Sequence, residues 1–167
     1  GVGRGKSMIM DLFFDHVSIE NKQRVHFHAF MQEVHRRIHA FREAQKAGKV
    51  SGAKDPLPPL ARVIAERAWL LCFDEFHVTD IADAMILGRL FEALFAEGVV
   101  IVATSNRHPK DLYKDGLQRD RFLPFIDILL EKMNVQEVQA ARDYRLERLQ
   151  KMDAYLTPSG PVADMKL

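Results

Sequence analysis

Hydrophobic residues fall into short continuous runs separated by longer stretches with helical spacing. The runs at 69–73 and 99–103 are apolar over five residues, a pattern typical of strands buried on both faces of a parallel sheet. Residues 24–28 alternate in the manner of a strand, and residues 135–138 are expected to form a last strand. Four strand segments are therefore predicted.

Helices are expected between these strands. Phe30, Val34 and Ile38 recur at helical spacing, and Thr79 is a candidate N-cap ahead of a helix that ends near Gly98. The full set of predicted helices, in chain order, is one opening near Lys6, one over 30–47, a short one around 60–67 after a broken loop at 49–59, one after Thr79, a short turn at Pro109, and one over 119–133. This alternation predicts an α/β fold with a parallel sheet and helices on both faces.

Charge and composition exclude some classes of partner. Lys and Arg total 24 against 23 for Asp and Glu, so no net field favours nucleic acid or an anionic membrane, and no specific nucleic acid is expected. Cys72, the only cysteine, cannot form an internal disulfide, which fits a reducing compartment such as the cytoplasm.

A glycine-rich segment begins the chain and precedes the first predicted helix. Gly5, Lys6 and Ser7 match the end of the P-loop pattern G-x-x-x-x-G-K-[ST], whose first glycine would fall before Gly1. The alternative is a flexible basic turn. On the P-loop interpretation, Lys6 neutralises ATP phosphates, Ser7 is a ligand of Mg²⁺, and the nucleotide-binding residues are Gly1, Val2, Gly3, Arg4, Gly5, Lys6, Ser7 and Met8.

Acidic and polar residues follow two of the predicted strands. Asp74 and Glu75 come directly after the first apolar run, where Asp74 would hold Mg²⁺ and Glu75 would activate the attacking water. Asn106 follows the next run and is placed to sense the γ-phosphate. An acidic pair at a strand end is common in itself, but the order and separation of the three signals predict a nucleotide hydrolase.

Longer motifs resemble one family. They are Gly-Val-Gly-Arg-Gly-Lys-Ser at 1–7, Val-His-Phe-His at 25–28, Cys-Phe-Asp-Glu-Phe-His-Val-Thr-Asp-Ile-Ala-Asp-Ala-Met at 72–85, Thr-Ser-Asn at 104–106, Asp-Leu-Tyr-Lys-Asp-Gly at 111–116, Leu-Gln-Arg-Asp-Arg-Phe-Leu-Pro-Phe at 117–125 and Asp-Tyr-Arg at 143–145. Together they resemble the family of the bacterial cell division protein ZapE and its mitochondrial AFG-type relatives, from Gly1 to about Pro161.

The resemblance implies an AAA+ ATPase that works as a ring-shaped homo-oligomer on a protein client. In bacteria the implied client is FtsZ, and the implied site of action is the cytoplasm, at the inner face of the membrane where the cell divides. Mitochondrial relatives imply a role in turnover of respiratory-chain proteins. It also implies an arginine finger reaching a neighbouring subunit, for which Arg121 is the first choice, Arg119 the rival, and Arg107 a candidate within the subunit.

The expected organisation is a P-loop ATPase core over 1–141, lacking its first strand, and the start of a lid or C-terminal extension over 142–167. Two other functions stay open. One is a scaffold that binds ATP to assemble on a partner with negligible turnover, against which Glu75 argues. The other is a nucleic-acid loader of the same fold, which would need a basic groove with interleaved aromatic residues.

Overall fold

The computed structural model describes residues 5–52 and 54–138. Within them, a parallel three-stranded sheet has the order β1-β2-β3, with β1 at Lys22–His26, β2 at Leu70–Asp74 and β3 at Val100–Ala103. The helices are α1 (Lys6–His16), α2 (Phe27–Lys46), α3 (Leu57–Arg67), α4 (Ile81–Ala96) and α5 (Arg119–Lys132), with a 3₁₀ turn at Pro109–Asp111. The α/β prediction is confirmed.

The two faces of the sheet are covered unequally. Leu71 and Phe73 of β2 point into the larger core, which is filled by residues of α2, α3, α4 and α5. Leu70 and Cys72 point to the opposite face, where Met10 of α1 packs on them. Because alternate residues of a strand face opposite ways, a continuous apolar run is what a strand between two helical layers requires.

Aromatic rings connect the layers of the larger core. The ring of Phe73 lies 4.8 Å from that of Phe30 in α2 and 6.1 Å from that of Phe91 in α4. Phe91 in turn makes an edge contact with Phe125 of α5 at 5.0 Å between ring centroids. Edge and offset contacts of this kind add to the burial energy of each ring, so the aromatic cluster fixes three helices against β2.

Two predicted boundaries were wrong near β1 and α3. The first strand ends at His26, and α2 begins at Phe27, so His28 belongs to a helix. Helix α3 begins at Leu57, inside the predicted loop, with prolines in its first turn. Proline is tolerated there because the first backbone N–H groups of a helix have no partner within the helix.

Two further predictions at element ends also failed. Asp80, not Thr79, caps α4, and its carboxylate accepts a 2.6 Å hydrogen bond from the backbone N–H of Ala82. Residues 135–138 are not a strand. No strand pairs with the outer edge of β3 in the described part of the chain, so this segment has no ladder of hydrogen bonds to join.

Helix boundaries elsewhere follow the sequence pattern. The predicted helix at 119–133 is α5, and the predicted turn at Pro109 is the 3₁₀ turn. None of the helices in the described ranges is long and apolar enough to cross a membrane. The predicted division at 141 and 142, and residues 1–4 of the glycine loop, lie outside the described residues.

Candidate functional site

The site is built at the carboxyl edge of the sheet, beginning with the amino end of α1. Gly5 has a φ of 75°, a left-handed conformation that glycine adopts without penalty, and its carbonyl accepts the first hydrogen bond of the helix from Ile9 at 2.9 Å. Lys6 and Ser7 therefore occupy the first turn, where N–H groups lack partners within the helix. This geometry suits an anion such as a phosphate.

Asp74 and Glu75 have opposite environments although they are adjacent. Asp74 is the last residue of β2 and is 8% exposed. The Glu75 side chain is 81% exposed, and its backbone has a φ of 55°. A left-handed non-glycine residue costs about 1–3 kcal/mol and is often found at functional sites, where the surroundings hold it in place. The turn thus buries one carboxylate and presents the next to solvent.

The loop after β3 holds this turn through its own polar groups. The Phe76 backbone N–H donates to the Thr104 carbonyl at 2.8 Å, and the Ser105 hydroxyl donates to the Phe76 carbonyl at 2.9 Å. The Glu75 N–H donates to the Thr104 hydroxyl at 3.4 Å. Asn106, the predicted sensor, is exposed just beyond. Thr104 and Ser105 therefore fix the turn that carries the acidic pair, a role sequence reasoning missed.

Arg24 of β1 is a second residue that sequence reasoning missed. Its Nε and Nη2 donate to the two carboxylate oxygens of Asp74 at 2.6 and 3.1 Å, and its Nη1 donates to Asp11 of α1. The hydrogen bond to Asp74, and then that to Asp11, raises the pKa of Arg24, so the guanidinium stays charged. The sequence shows an arginine in an alternating strand, but its partners depend on the register that sets β1 beside β2.

His26 lies next to Glu75. Its Nδ1 is 4.0 Å from Glu75 Oε2, and both side chains are exposed. The parallel register pairs His26 with Asp74, which places the imidazole at the same edge of the sheet as the acidic pair. A strand over 24–28 would have put His26 and His28 on one face, but α2 begins at Phe27, so only His26 belongs to β1.

The arginines proposed as fingers differ in their surroundings. Arg119 donates to the backbone carbonyls of Tyr113 at 3.1 Å and Lys110 at 2.7 Å, so it fastens the loop before α5 to the 3₁₀ turn. Arg121 is exposed, and its side chain makes no hydrogen bond or ion pair within the described residues. Arg107 is also exposed, in the loop after β3. Of the first two, Arg121 has the guanidinium available to another molecule.

A cavity of about 410 Å³ lies beside the edge strand β3. Lys6, Thr104, Ser105 and Arg107 contribute polar groups to it, whereas most of the other lining side chains, from α1, α5 and residues 133–138, are apolar. The structure therefore brings the start of α1 and the loop after β3 to one cavity. Of the predicted site residues, Lys6 lines it, whereas Ser7, Asp74, Glu75 and Asn106 are not among its lining residues.

The donor chemistry at this edge fits Mg²⁺. The Ser7 hydroxyl and the Asp74 carboxylate carry oxygen atoms of the kind that bind Mg²⁺, and both oxygens of Asp74 accept hydrogen bonds from the Arg24 guanidinium. No group of three or more His, Cys, Asp or Glu side chains that could hold a metal occurs in the described ranges. Mg²⁺ commonly uses one or two protein oxygens together with substrate phosphates, which is the arrangement these residues could supply.

Known proteins resemble the chain over nearly its whole length. "Lactation elevated protein 1 homolog B" of Danio rerio is 51% identical over 151 residues, covering 89% of this chain and 30% of that protein. Cell division protein ZapE of Escherichia coli K12 is 48% identical over 158 residues, covering 95% of this chain and 40% of that protein. The chain thus spans less than half the length of these curated relatives. No solved structure matches it. The AFG1-like ATPase family model matches residues 1–166, and this chain belongs to that family.

Proposed function

We propose that the chain carries the nucleotide-binding part of a Mg²⁺-dependent ATPase of the AAA+ type. The observation that supports this most strongly is that the start of α1, the turn after β2 and the loop after β3 lie at one edge of the sheet. Lys6 shares a cavity with Thr104 and Ser105, and those two residues hydrogen-bond the turn that contains Glu75. Family membership supports the same activity.

In this proposal each residue has a separate task. Lys6 and the backbone N–H groups at the start of α1 bind phosphate oxygens, together with residues 1–8 of the loop. Ser7 and Asp74 hold Mg²⁺, which supplies charge neutralisation for the transferring phosphoryl group. Glu75, exposed beside His26, orients and deprotonates the attacking water, and Asn106 senses the γ-phosphate.

Arg121 is proposed to act on the site of a neighbouring subunit in a ring. Its exposure supports this role, because a finger must extend from its own subunit, whereas Arg119 is engaged by the carbonyls of Tyr113 and Lys110. A finger supplied in trans stabilises charge on the transferring group and is worth about 10³–10⁵ in rate in other phosphoryl-transfer enzymes.

The client of the proposed ATPase is a protein. One relative is named a cell division protein, and the family resemblance extends this to FtsZ as the client in a bacterium, at the inner face of the membrane. In a eukaryote the proposed location is mitochondrial. The charge balance supports a protein client over nucleic acid, since 24 basic residues stand against 23 acidic ones.

Steady-state ATP hydrolysis by the full-length protein tests the activity. Glu75→Gln is expected to bind ATP but to lose turnover, and Arg121→Ala is expected to lose turnover with binding retained. Arg42→Ala, which removes an exposed arginine of α2, is the control for loss of surface charge. A wild-type protein that binds ATP and never hydrolyses it would establish the scaffold, and stimulation by DNA but not by a protein client would establish the loader.

Mixing the two inactive variants tests the shared site. A subunit carrying Arg121→Ala retains Glu75, and a neighbour carrying Glu75→Gln retains Arg121, so their interface contains one complete site. Activity is therefore expected to return on mixing. If each variant stays inactive in every mixture while rings still form, Arg121 does not act in trans.

A further inference from the structure

Arg24 pairs with Asp74, the carboxylate that is proposed to hold Mg²⁺. Its guanidinium spans both oxygens of Asp74, and its third contact is with Asp11 of α1. The Arg24 side chain is 24% exposed and that of Asp74 is 12% exposed, so water screens this pair less than a surface pair. A two-pronged contact between guanidinium and carboxylate is also the strongest and most directional form of ion pair in proteins.

A divalent cation arriving alone meets two obstacles at Asp74. It must share or displace oxygens that already accept hydrogen bonds, and it must approach a fixed positive charge. Arg24, Asp74 and Asp11 together carry one net negative charge, from one positive and two negative groups, and removal of Arg24 would leave both carboxylates uncompensated. A nucleotide brings phosphate charges that offset the repulsion.

We propose that Arg24 guards Asp74, so that a divalent cation binds there only together with a nucleotide. This inference rests on the proposed function, because it concerns the same carboxylate. Arg24 is a positioning residue in this role and touches neither the nucleotide nor the reacting atoms. It holds Asp74 in one orientation until Mg²⁺ arrives with its phosphate ligands.

The contact with Asp11 extends the role of Arg24 to α1. The same guanidinium ties the helix that begins at Lys6 to the end of β2. Lys22, two residues earlier in β1, donates to the carbonyls of Phe14 and Val17 at the carboxyl end of α1. Two basic residues of one strand therefore hold the middle and the carboxyl end of this helix, and of the two only Arg24 also reaches Asp74.

Binding of Mn²⁺, followed by electron paramagnetic resonance of the free ion, tests the proposal without any measurement of turnover. Wild-type full-length protein is expected to bind Mn²⁺ at least tenfold more weakly without nucleotide than with ADP, after the Mn²⁺ held by ADP in a protein-free sample is subtracted. Arg24→Gln is expected to bind Mn²⁺ without nucleotide at least tenfold more tightly than wild type. General damage to the fold would weaken binding, so a gain separates guarding from a purely structural role.

Two further variants show which groups cause the tighter Mn²⁺ binding. Adding Asp74→Asn to Arg24→Gln should abolish it if the new ion sits on Asp74. The double variant Arg24→Gln with Asp11→Asn restores the net charge of the wild-type trio, so tight binding by this variant shows that the freed oxygens, and not charge alone, are responsible.

Three results would overturn the proposal. They are tight Mn²⁺ binding by nucleotide-free wild type, no gain in a folded Arg24→Gln protein, and a gain that survives Asp74→Asn. The wild-type comparison needs no variant, so tight nucleotide-free binding there would overturn the proposal even if Arg24→Gln does not fold. Failure to bind ADP or ATP at all would count against the proposed function instead, while the nucleotide-free arms would still test Arg24.

Discussion

Substitution of alanine for glycine should have opposite effects at Gly116 and Gly88. A Cβ added at Gly116 would overlap the ring of Tyr113, whereas one added at Gly88 would meet atoms of Phe125 and Ile128 at 3.8–3.9 Å, an ordinary contact distance. Gly88 lies inside α4, where alanine is the better helix former. Glycine-to-alanine substitution therefore tests the packing around Gly116 and around Gly88.

The Tyr113 ring has little freedom to move aside for Gly116→Ala. Tyr113 is 5% exposed, its hydroxyl donates to the Leu117 carbonyl at 2.7 Å, and its ring makes an edge contact with Phe122 at 5.2 Å. Forcing extra atoms into a packed core costs about 1–3 kcal/mol. Loss of the hydroxyl hydrogen bond adds about 1 kcal/mol. We expect Gly116→Ala to lower the free energy of unfolding by roughly 2–4 kcal/mol.

Gly88→Ala should raise the free energy of unfolding by about 0.5–1 kcal/mol, the usual advantage of alanine over glycine in a helix interior. Urea unfolding followed by circular dichroism measures both values, and an unchanged dependence on urea concentration shows that the variants differ from wild type in stability and not in the surface exposed on unfolding.

A double-mutant cycle identifies the cause. In a Tyr113→Ala background the ring is absent, so Gly116→Ala should become nearly neutral. If Gly116→Ala matches wild type, or costs the same with and without the Tyr113 ring, the steric argument is refuted.

Two further predictions concern the helix cap and the buried thiol. Asp80→Ala should lower the free energy of unfolding by about 0.5–2 kcal/mol, because the Ala82 N–H loses its acceptor. Asp80→Ser should keep most of the wild-type stability, because the serine hydroxyl can also accept from that N–H. Equal urea midpoints for the two variants would refute the capping role. Burial raises the pKa of the Cys72 thiol. The neutral, buried thiol therefore stabilises the fold fully at pH values below the pKa of the unfolded thiol. This stabilisation is lost as pH rises through the pKa of the folded thiol. Wild type should therefore lose more stability than Cys72→Ala above about pH 8.5, and iodoacetamide should modify Cys72 far more slowly in folded than in urea-unfolded protein; equal rates would contradict burial of the thiol.

Local signals in the sequence determined the class of fold and the order of its elements. The apolar run at 69–73 predicted β2, because a strand between two helical layers must be apolar on both sides. The run at 99–103 predicted β3, but its expected burial on both faces was wrong, since Val100 is 54% exposed. Gly5, Lys6 and Ser7, and the acidic pair at 74 and 75, were found because each motif is contiguous along the chain. Boundaries were less well predicted. Helix α2 begins at Phe27, which is buried in the larger core, and the strand-like alternation at 24–28 does not reveal this start.

Tertiary structure alone decided which side chains meet. Arg24 and Asp74 are 50 residues apart, and they pair because β1 lies beside β2 in parallel register. The same holds for Ser105 and the Phe76 carbonyl, and for the hydrogen bonds of Arg119 to the carbonyls of Tyr113 and Lys110, which only the folded loop shows. A sequence specifies the chemical groups available to a site, but contacts between distant residues arise from strand register and helix packing, and these are properties of the whole chain.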